Sequence, residues 1–438
     1  MKILILGSGG RESALAWKLA AGPRVEQVYV SRNVGLDPLN FAQVKEFILE
    51  NGIDMLVPGA EEPIVRGIRD YFAADAGLHR LAVVAPGREG ARLEGSKAFA
   101  KAFMKRAGIP TADYEVFELR EAVVRRNSKG KVVEEGGEVV GTDGGLSAAK
   151  RFLQRIEPPY VLKADGLAAG KGVLIEPDYE SACADLEAMR DGKFGEAARC
   201  VVIERFLEGK ELSVTVLTDG KDYKILPEAK DYKRAGEGDT GPNTGGMGAV
   251  SPVRWADAAL MKKVETRIIQ PTLAQLRQER TAYAGFLYIG LMVVRGEPFV
   301  LEYNVRLGDP EAEVILPRIE SDLAELFEAV HHGKLQEKEL KVSSRAAGGV
   351  VLVSGGYPAS YATGYEVTLP ENIAPSTLFF QAGTWCTPDG RLHTGGGRVL
   401  TVTAVADTLP EALQEAYRHA QQVDFKDKYY RKDIGKDL

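Results

Sequence analysis

A glycine-rich turn between two apolar runs is the feature that most constrains how this chain folds. The stretch Lys163–Val173 follows the apolar run Tyr160–Leu162 and leads into Val173–Ile175, which predicts a strand, a turn and a second strand. Glycine lets the backbone approach a ligand closely, and consecutive N–H groups in such a turn form a concavity that binds anions. Because Lys163 and Lys171 bracket the turn, we expect this hairpin to cover the phosphates of a nucleotide and to exclude water. The alternative is an ordinary hairpin whose lysines are solvated.

The composition limits the class of protein. A length of 438 residues exceeds one hydrophobic core and predicts roughly three domains. The net charge of −6 argues against a nucleic-acid-binding protein, although a local basic pocket for an anionic substrate is compatible with it. The three cysteines are isolated, which indicates a reducing compartment without a disulfide frame, and no Cys/His cluster has the spacing of a zinc site. We also expect no signal peptide and no membrane span, and therefore a cytoplasmic protein.

Strands and helices alternate along residues 1–95. The predicted strands are Lys2–Leu6, Val25–Val30, Met55–Val57 and Leu81–Ala85, and the predicted helices are Ser13–Ala21, Asn40–Asn51 and Glu62–Ala74. This order implies a parallel sheet with crossover helices, in which ligands bind at the carboxyl ends of the strands, where the turn Gly7–Glu12 lies. Because Glu12 replaces the last glycine of the dinucleotide fingerprint, we interpret the turn as a phosphate-binding turn and not as an NAD site.

The rest of the chain is more varied. Ser96–Ala107 is a predicted helix that carries Lys97, Lys101 and Lys105, and Gly108 is its stop signal. Residues 126–147 are rich in glycine and charge, which predicts an exposed and mobile hairpin insertion. The remaining predicted elements are a long polar loop at 230–248, helices at Ala256–Glu279, Asp322–His332 and Leu409–Val423, strands at Phe286–Val294 and Pro298–Tyr303, and short strands after about residue 345.

The segment after Pro298 has the polar pattern of a metal site. Residues two apart in a strand share a face, so Glu302, Asn304 and Arg306 are predicted to point the same way. Carboxylate and amide oxygens suit Mg²⁺, which takes few protein ligands and completes its shell with nucleotide phosphates and water. Arg306 can clamp a carboxylate or a phosphate, and Asp309 follows in an acidic turn. The alternative is a strand face that is simply exposed to solvent.

The connection that follows the apolar strand Val201–Ile203 is a candidate nucleotide-binding linker. The backbone N–H and C=O groups of Glu204–Leu207 can read an adenine edge. Glu211 can accept hydrogen bonds from ribose hydroxyls. An ordinary connection between two strands is the alternative, and this segment alone does not decide between them.

The polar loop at residues 230–248 concentrates cations and glycines. Lys230, Lys233 and Arg234 can face triphosphate oxygens, and Asn243 lies in a Gly/Pro turn where its side chain can reach a ligand or cap the turn. A loop of this length in a compact domain is more often functional than idle. The alternative is a solvated surface loop.

These motifs together resemble the glycinamide ribonucleotide synthetase family (phosphoribosylamine–glycine ligases) of the ATP-grasp superfamily, over nearly the whole chain. The specific motifs are Lys163–Val173 and Pro242–Gly248, and supporting ones are Gly7–Glu12, Leu93–Lys101, Lys233–Gly248, Glu302–Glu311, Ser354–Pro358 and Gly395–Leu400. The resemblance implies an α/β fold, α+β in the catalytic core, of the ATP-grasp type. Its implied parts are an N-terminal parallel-sheet domain at 1–100, a mobile lid at 115–205, a central antiparallel-sheet domain at 101–114 and 206–340, and a small β-rich C-terminal domain at 341–438.

The resemblance also implies ATP-dependent amide formation. In that reaction the carboxylate of glycine attacks the γ-phosphate of ATP to give glycyl phosphate. The amine of 5-phosphoribosylamine then attacks the acyl carbon, which yields glycinamide ribonucleotide, ADP and phosphate, a step of purine biosynthesis. Such phosphoryl transfer requires positioning and charge neutralisation more than a nucleophilic side chain. The implied partners are these small molecules, with no nucleic acid and no membrane, and we expect a monomer or a homodimer.

The resemblance assigns roles residue by residue. ATP is expected to contact Lys101, Lys163, Gly170, Lys171, Gly172, Glu204, Arg205, Phe206, Leu207, Glu211, Arg234 and Asn243. Mg²⁺, with Mn²⁺ as a second candidate, is expected at Glu302 and Asn304. The acceptor substrates are expected at Gly9, Gly10, Arg11, Glu12, Asp231 and Lys233, with Arg306 and Asp309 as catalytic residues. Two alternatives stay open: a carboxylate–amine ligase with a different amine substrate, and an ATP-binding regulatory protein without turnover.

Overall fold

The chain folds into two compact units, which a computed structural model describes for residues 1–122, 125–126, 132–134, 139–141, 143–168 and 171–438. The helices are α1 Gly10–Ala20, α2 Phe41–Asn51, α3 Glu61–Val65, α4 Ile68–Ala73, α5 Arg88–Gly95, α6 Lys97–Arg106, α7 Asp143–Leu153, α8 Tyr179–Arg190, α9 Ala258–Val264, α10 Gln270–Gln278, α11 Ala312–Ile315, α12 Leu323–His332 and α13 Leu409–Gln422. The strands are β1 Lys2–Leu6, β2 Gln27–Val30, β3 Met55–Pro58, β4 Ala82–Val83, β5 Tyr114–Glu118, β6 Arg120–Ala122, β7 Arg125–Arg126, β8 Val132–Glu134, β9 Val139–Gly141, β10 Tyr160–Ala164, β11 Val173–Glu176, β12 Cys200–Arg205, β13 Lys210–Thr218, β14 Tyr223–Ile225, β15 Lys230–Asp231, β16 Arg234–Gly236, β17 Thr240–Asn243, β18 Gly248–Ser251, β19 Gly285–Val294, β20 Glu297–Asn304, β21 Ala346–Val353, β22 Thr377–Gln381, β23 Thr384–Cys386, β24 Leu392–Thr394 and β25 Arg398–Ala406.

The two units are built from alternating stretches of the chain. The first unit contains Met1–Ala91, Glu211–Leu291 and Tyr303–Leu438, and the second unit contains Arg92–Lys210 and Met292–Glu302. Within the described ranges, no helix is both long enough and apolar enough to cross a membrane.

A parallel four-stranded sheet in the order β2-β1-β3-β4 begins the first unit. Its strand β1 is buried on both faces: Ile3 and Ile5 pack into one core, whereas Leu4 and Leu6 pack into another. Burial on both faces is typical of a parallel sheet that has helices on both sides. The α/β class and the parallel N-terminal sheet predicted from the alternation of strands and helices are therefore confirmed.

Two predicted helices next to this sheet have different bounds. α1 begins at Gly10 and not at Ser13, because the Glu12 side chain accepts a hydrogen bond from the backbone N–H three residues before it and so caps the helix earlier. The predicted helix Glu62–Ala74 is divided into α3 and α4. Gly67 separates them with a φ of 86°, a left-handed conformation that a continuous helix does not contain.

An antiparallel five-stranded sheet in the order β15-β18-β21-β25-β22 also belongs to the first unit. α13 packs on it with Ala416 and Ala420 in the shared core. β21 has eight residues and β25 has nine, so the prediction of only short strands after residue 345 is wrong. Because β15 and β18 complete the sheet, strands from residues 230–251 pair with strands from the C-terminal part of the chain.

The predicted polar loop at residues 230–248 is largely strand. It contains β15, the two-stranded hairpin β16–β17 and the first residue of β18. Gly238, Gly241 and Gly246 have positive φ and supply turns between these short strands. Strands of two to four residues leave almost no apolar alternation, which is why the sequence pattern predicted a loop.

A third sheet has the order β14-β13-β19-β20. β19 and β20 are joined at Gly296, whose φ of 81° fits the predicted tight turn. The predicted helix Ala256–Glu279 is interrupted: a π-helical turn at Glu265–Ile269 separates α9 from α10.

The second unit contains an antiparallel sheet in the order β11-β10-β12-β5. α7 and α8 cover one face, and Leu162 and Leu186 are fully buried in that core. The pairing of β10 with β11 runs from Tyr160 opposite Glu176 to Lys163 opposite Val173. The predicted strand, turn and strand are therefore confirmed.

The insertion predicted at residues 126–147 is partly described. β6 pairs with β9, and β7 pairs with β8, both antiparallel. α7 begins at Asp143, so the last residues of the predicted hairpin belong to a helix instead. Residues 127–131, 135–138 and 142 of this insertion lie outside the described residues, so its predicted exposure and mobility stay a prediction.

Candidate active site

Two lysines and a glutamate form a buried charge cluster in the second unit. The Nζ atom of Lys101 lies 2.9 Å from Oε2 of Glu204, and the Nζ atom of Lys163 lies 2.8 Å from Oε1 of the same carboxylate. All three residues are at most 5% exposed. Lys101 also donates to the hydroxyl of Thr111 at 2.6 Å, and Lys163 donates to the carbonyl oxygen of Leu301 at 3.1 Å. One carboxylate therefore holds two ammonium groups in fixed positions.

The apolar pattern of the strands places these side chains on one side of the sheet. In β10, Leu162 packs into the core beneath α7 and α8, so strand alternation directs Lys163 to the opposite face. In β12, Ile203 packs into the same core and Glu204 is directed away from it. Lys101 reaches the cluster from α6.

The carboxylates of this region do not fully offset the effect of burial on the pKa values of the lysines. Burial lowers the pKa of Lys101 to about 8, although the charges of Glu204 and Glu302 oppose the shift. Burial also lowers the pKa of Lys97, which lies four residues earlier on the same face of α6. An anion bound here would favour the charged form of both lysines. The cluster is therefore a candidate site for phosphate groups.

The glycine-rich turn is tied to the start of α6. The carboxylate of Asp165 accepts hydrogen bonds from the hydroxyl of Ser96 at 2.9 Å and from a backbone N–H of the first turn of α6 at 2.7 Å. A Cβ atom on Gly172 would lie 2.8 Å from the Cβ atom of Ala168, so this position requires glycine. The turn that the sequence predicts to cover a nucleotide is thus anchored beside the helix that carries Lys101.

The other residues of the second unit that are predicted to bind ATP have different surroundings. Lys171 and Arg205 are exposed, and Gly170 lies outside the described residues. Phe206 is 39% exposed and Leu207 is half-buried in the connection between β12 and β13. The roles of these five residues stay predictions.

Glu302 and Asn304 lie two residues apart at the end of β20. Tyr303 between them is 2% exposed, whereas both candidates are half-buried, as strand alternation predicts. β20 ends at Asn304, so Arg306 lies in a bend beyond the strand and the prediction of a three-residue strand face is wrong for Arg306. One carboxylate and one amide oxygen fit the donor preference of Mg²⁺. Across the described part of the chain, no cluster of three or more His, Cys, Asp or Glu side chains could form a metal cage, so an ion at this pair would need ligands from a substrate or water.

A second charge network surrounds Arg11 and Asp309 in the first unit. Nε of Arg11 lies 2.7 Å from Oε1 of Glu12, and its Nη1 donates to the carbonyl oxygen of Leu307 at 3.1 Å. Nη1 of Arg398 lies 3.0 Å from Oδ1 of Asp309. Burial alone would lower the pKa of Arg11 and raise the pKa of Asp309, but the neighbouring opposite charges reverse both shifts. Both groups therefore stay ionised.

The predicted phosphate turn is filled by carboxylates of the protein itself. Oε2 of Glu12 accepts a hydrogen bond from the backbone N–H of Gly9 at 2.5 Å. A Cβ atom on Gly9 would lie 2.9 Å from Oδ2 of Asp309, and one on Gly10 would overlap Oε1 of Glu313. The glycines thus give room to protein side chains, and the roles of Gly9, Gly10, Arg11 and Glu12 toward a substrate stay predictions.

Glu313 is a buried acid that the sequence analysis did not single out. Its side chain is fully buried, and neither carboxylate oxygen receives a hydrogen bond from an N–H or hydroxyl group of the described residues. Burial, and then the charge of Asp309, raise the pKa of Glu313 well above its ordinary value. The raised pKa favours the protonated form of Glu313, which could donate a hydrogen bond to Asp309. The signal in the sequence was a single charge within the apolar segment Ala312–Ile315.

Glu61 joins Arg306 to the network of Arg11. Its Oε2 atom lies 3.7 Å from Nε of Arg306 and 3.9 Å from Nη2 of Arg11. Burial would raise the pKa of Glu61, but the two guanidinium groups lower it. The predicted catalytic residues Arg306 and Asp309 therefore belong to one network of charges, together with Glu61, which the sequence analysis missed.

Asp231, Lys233 and Glu211 form a third group, also in the first unit. Nζ of Lys233 lies 2.8 Å from Oε2 of Glu211 and 3.9 Å from Oδ1 of Asp231. Burial raises the pKa of Asp231 to about 8, the charge of Lys233 opposes the shift, and the charges of Glu311 and Glu211 add to it. Lys233, predicted at the acceptor side, and Glu211, predicted at ATP, thus pair with each other.

The hairpin β16–β17 brings Arg234 and Asn243 together. The two residues are opposite each other in its register. Nη1 of Arg234 donates to the carbonyl oxygen of Gly241 at 2.8 Å, and both residues are half-buried. Their predicted contact with the phosphates of ATP stays a prediction.

Three family models match this sequence in order along the chain. They are described as the N domain, the ATP-grasp (A) domain and the C domain of phosphoribosylglycinamide synthetase, and they match residues 1–94, 142–312 and 347–437.

Relatives match over the full length. A phosphoribosylamine–glycine ligase of Chlorobaculum tepidum is 41% identical over 452 residues, which cover 99% of both chains. A phosphoribosylamine–glycine ligase of Escherichia coli is 40% identical over 99% of this chain and 98% of its own.

Solved structures agree with these matches. The crystal structure of a phosphoribosylamine–glycine ligase from Thermotoga maritima aligns with a TM-score of 0.78 and 36% identity, over 99% of this chain and 100% of that chain. The biotin carboxylase domain of a 2-oxoglutarate carboxylase from Hydrogenobacter thermophilus, solved with MgADP, shares the fold at a TM-score of 0.66 and 16% identity, over 98% and 91% of the two chains. The chain belongs to the phosphoribosylglycinamide synthetase family and has its ATP-grasp fold.

Proposed function

We propose that this chain joins glycine to 5-phosphoribosylamine while ATP is converted to ADP and phosphate, and so makes glycinamide ribonucleotide for purine biosynthesis. The observation that carries the proposal is the match of the whole chain, at 41% identity, to a phosphoribosylamine–glycine ligase. The match includes the N, ATP-grasp and C domains in their order along the chain.

The reaction consists of two transfers. A carboxylate oxygen of glycine attacks the γ-phosphorus of ATP, the bond to the β-phosphate oxygen breaks, and glycyl phosphate and ADP result. The amine nitrogen of phosphoribosylamine then attacks the acyl carbon, phosphate leaves with the electrons of the C–O bond, and the nitrogen loses a proton. Neither transfer needs a covalent bond to a side chain, so the protein contributes positioning, positive charge and exclusion of water.

Lys101 and Lys163 bind the phosphates of ATP in this proposal, and Glu204 positions both. The distances of 2.9 and 2.8 Å to one buried carboxylate support this role, because they fix two cations near each other at one side of a sheet. The lowered pKa of Lys101 also supports it, because an anionic ligand favours its charged form. The turn from Asp165 to Gly172 covers the acyl phosphate and excludes water.

Glu302 and Asn304 would hold the divalent ion, which is Mg²⁺ or Mn²⁺. The fit is chemical: both offer hard oxygen donors, and together they occupy only part of an octahedral shell. An ion held there would neutralise charge on the phosphates.

Arg306 and Asp309 act at the acceptor substrates in this proposal. Glycine carries a carboxylate and phosphoribosylamine a phosphate, and guanidinium groups recognise both anions with paired hydrogen bonds. Arg11, Arg306 and Arg398 supply such groups, and the ion pair of Arg398 with Asp309 supports a role for Asp309 in orienting them. Gly9, Gly10, Glu12, Asp231 and Lys233 are assigned to the same substrates.

A substrate-omission experiment tests the proposal. The full-length protein is incubated with ATP, Mg²⁺, glycine and freshly made phosphoribosylamine, and with mixtures that omit one component at a time. ADP release is measured by a coupled assay, and the product mass by mass spectrometry. We expect ADP release and a product of the mass of glycinamide ribonucleotide only in the complete mixture. Product with another amine instead would support a different carboxylate–amine ligase, and ATP binding without ADP release would support the regulatory protein.

The remaining expectations stay predictions: small-molecule partners only, a cytoplasmic location, and a monomeric or homodimeric state. Light scattering during gel filtration measures the last of these directly. A stable assembly larger than two chains would contradict it.

A further inference from the structure

The C-terminal tail of the chain makes a dense set of contacts with one short hairpin of the first unit. Arg431 is 1% exposed, and its guanidinium group forms a paired contact with the carboxylate of Asp433 at 2.8 and 2.7 Å. Its Nη1 atom also donates to Oδ1 of Asp239 at 2.7 Å and to the carbonyl oxygen of Arg234 at 3.1 Å. A buried guanidinium group with this many acceptors fixes the segments that carry them.

Further contacts follow along the same tail. Oδ2 of Asp433 accepts a hydrogen bond from the backbone N–H of Gly238 at 2.8 Å. The hydroxyl of Tyr429 donates to the carbonyl oxygen of Ala235 at 2.9 Å, and a backbone N–H of the tail donates to Oε1 of Glu237 at 3.2 Å. The tail thus contacts both the strand β16 and the turn that connects it to β17.

The end of the tail also holds the strand before the hairpin. The hydroxyl of Tyr232 donates to Oδ1 of Asp437 at 2.6 Å and accepts from the backbone N–H of Gly435 at 2.9 Å. Lys230 pairs with the same carboxylate of Asp437. The guanidinium group of Arg431 lies over the ring of Tyr232, 5.3 Å from its centre.

Within the described residues, the two strands of the hairpin pair only with each other. β16 and β17 form a two-stranded sheet, and such a hairpin alone is at best marginally stable in water. The two residues of this region that the family resemblance assigns to ATP, Arg234 and Asn243, lie in its strands.

We propose that the tail Tyr429–Asp437 positions the hairpin Arg234–Asn243 for ATP, with Arg431 as the positioning residue. The inference rests on the proposed use of ATP and on the predicted contact of Arg234 and Asn243 with this nucleotide. The tail touches no substrate: it acts through Arg234 and Asn243. A chain that loses these tail contacts keeps its fold and loses affinity for ATP.

Two exposed groups allow a test that leaves the buried guanidinium group in place. Asp239→Ala removes one acceptor of Arg431, and Tyr429→Phe removes the hydroxyl that binds the hairpin. Asp239→Asn and Asp239→Gly are the companions of Asp239→Ala, because both residues tolerate the positive φ of 55° at this position and only asparagine keeps an acceptor oxygen. A defect that Asp239→Ala shares with Asp239→Gly therefore reflects the lost contact and not backbone strain. Asp389→Ala is the matched control, because Asp389 is an exposed aspartate that pairs with an arginine, Arg391, in another turn of the first unit.

Hydrogen exchange of peptides that cover residues 234–243 and the equilibrium Kd for ATP with Mg²⁺ are measured on the full-length proteins. We expect exchange in the hairpin of Asp239→Ala to be about tenfold faster and the Kd for ATP to rise about five- to tenfold, with smaller changes of the same sign in Tyr429→Phe. Asp239→Asn should recover most of both effects, and Asp389→Ala should change neither. A structural effect alone would change the melting temperature without this selective change in Kd.

Unchanged exchange in the hairpin of both tail-contact variants would overturn the inference, and so would faster exchange with an unchanged Kd for ATP. Neither measurement needs turnover. A wild-type protein that binds ATP but makes no product would refute the proposed function and leave this inference standing, whereas a wild-type protein that does not bind ATP would overturn both.

Discussion

Replacing Glu204 by glutamine tests the energetic weight of the buried cluster. The substitution preserves the volume of the side chain and removes the carboxylate that lies 2.9 Å from Lys101 and 2.8 Å from Lys163. Removal of one partner leaves charge buried without compensation, which costs more than the intact ion pair gains. We therefore expect Glu204→Gln to destabilise the second unit strongly.

The two lysines contribute to this loss separately. Lys101 has a pKa of about 8 in the folded protein, so at pH 7 it can avoid an unfavourable charge by releasing its proton, which costs about 1.4 kcal/mol for one pH unit. Lys163 loses a charge-assisted hydrogen bond worth about 1.5–3 kcal/mol. The expected loss of unfolding free energy is the sum, about 3–4 kcal/mol, which agrees with the range of about 3–5 kcal/mol for breaking a buried ion pair.

The loss depends on pH in a defined direction. In the wild type, the folded pKa of Lys101 lies below its ordinary value of 10.5, so this group makes stability rise with pH between about 8 and 10.5 and causes no pH dependence below 8. In Glu204→Gln the pKa falls further, so the folded state also binds fewer protons than the unfolded state below pH 8. The difference in stability between the two proteins should therefore be larger at pH 6 than at pH 7, and should become constant above about pH 8, where folded Lys101 is neutral in both.

Hydrogen exchange on peptides of β10 and β12 measures this loss in the full-length chain. Tryptophan fluorescence reports the first unit alone, which contains Trp17, Trp255 and Trp385. The control Glu187→Gln removes the surface ion pair with Lys150 in the same unit and should cost less than about 0.5 kcal/mol. Equal effects of the two substitutions, or a loss below about 1 kcal/mol for Glu204→Gln, would refute the reasoning.

Four further predictions concern charge, packing and metal. The Kd of the wild type for ATP should rise about tenfold per pH unit above pH 8 as Lys101 loses its proton. Lys101→Arg should show no such rise, because arginine stays charged. The same dependence of Kd on pH in both proteins would count against a role for Lys101. Glu313→Gln should keep activity within about threefold, because an amide N–H can donate to Asp309 in place of the carboxyl proton. In the wild type, the raised pKa of Glu313 should lower the free energy of unfolding as pH rises above about 4.5, and this pH dependence should be absent from the variant. Gly10→Ala should lower Tm by several degrees, because its Cβ overlaps Glu313, and an unchanged Tm would show that this packing is not tight. Glu302→Ala combined with Asn304→Ala should weaken ATP binding in Mg²⁺ but not in EDTA, and an unchanged Kd in Mg²⁺ would refute the metal assignment.

Short-range patterns predicted the elements that carry the candidate site. Lys163 and Gly172 were predicted in a hairpin because apolar strands and turn glycines are local signals, and the pairing of β10 with β11 confirms it. Lys101 was predicted on the helix Ser96–Ala107 with a glycine stop, and Gly108 has the φ of 65° that such a stop requires. α6 begins one residue later than predicted, because Ser96 is its cap and the hydroxyl of Ser96 accepts the N–H of Phe99.

Long-range pairing was not available from the sequence. Glu204 was assigned to an adenine-binding linker through its backbone, whereas its side chain holds two lysines from distant segments. Glu313 is one charged residue in an apolar segment, and only its burial beside Asp309 shows that its pKa is raised. The register of the sheets and the depth of burial decide such features, and neither is encoded in local periodicity.

Oxygen transfer from glycine to phosphate distinguishes a glycyl phosphate intermediate from other routes to the amide. The complete reaction is run with glycine labelled with ¹⁸O in its carboxylate, and the released phosphate is examined by ³¹P NMR or mass spectrometry. If glycine attacks the γ-phosphate before the amide bond forms, each phosphate released with glycinamide ribonucleotide carries one ¹⁸O atom. Phosphate without ¹⁸O, released together with product, would contradict the account.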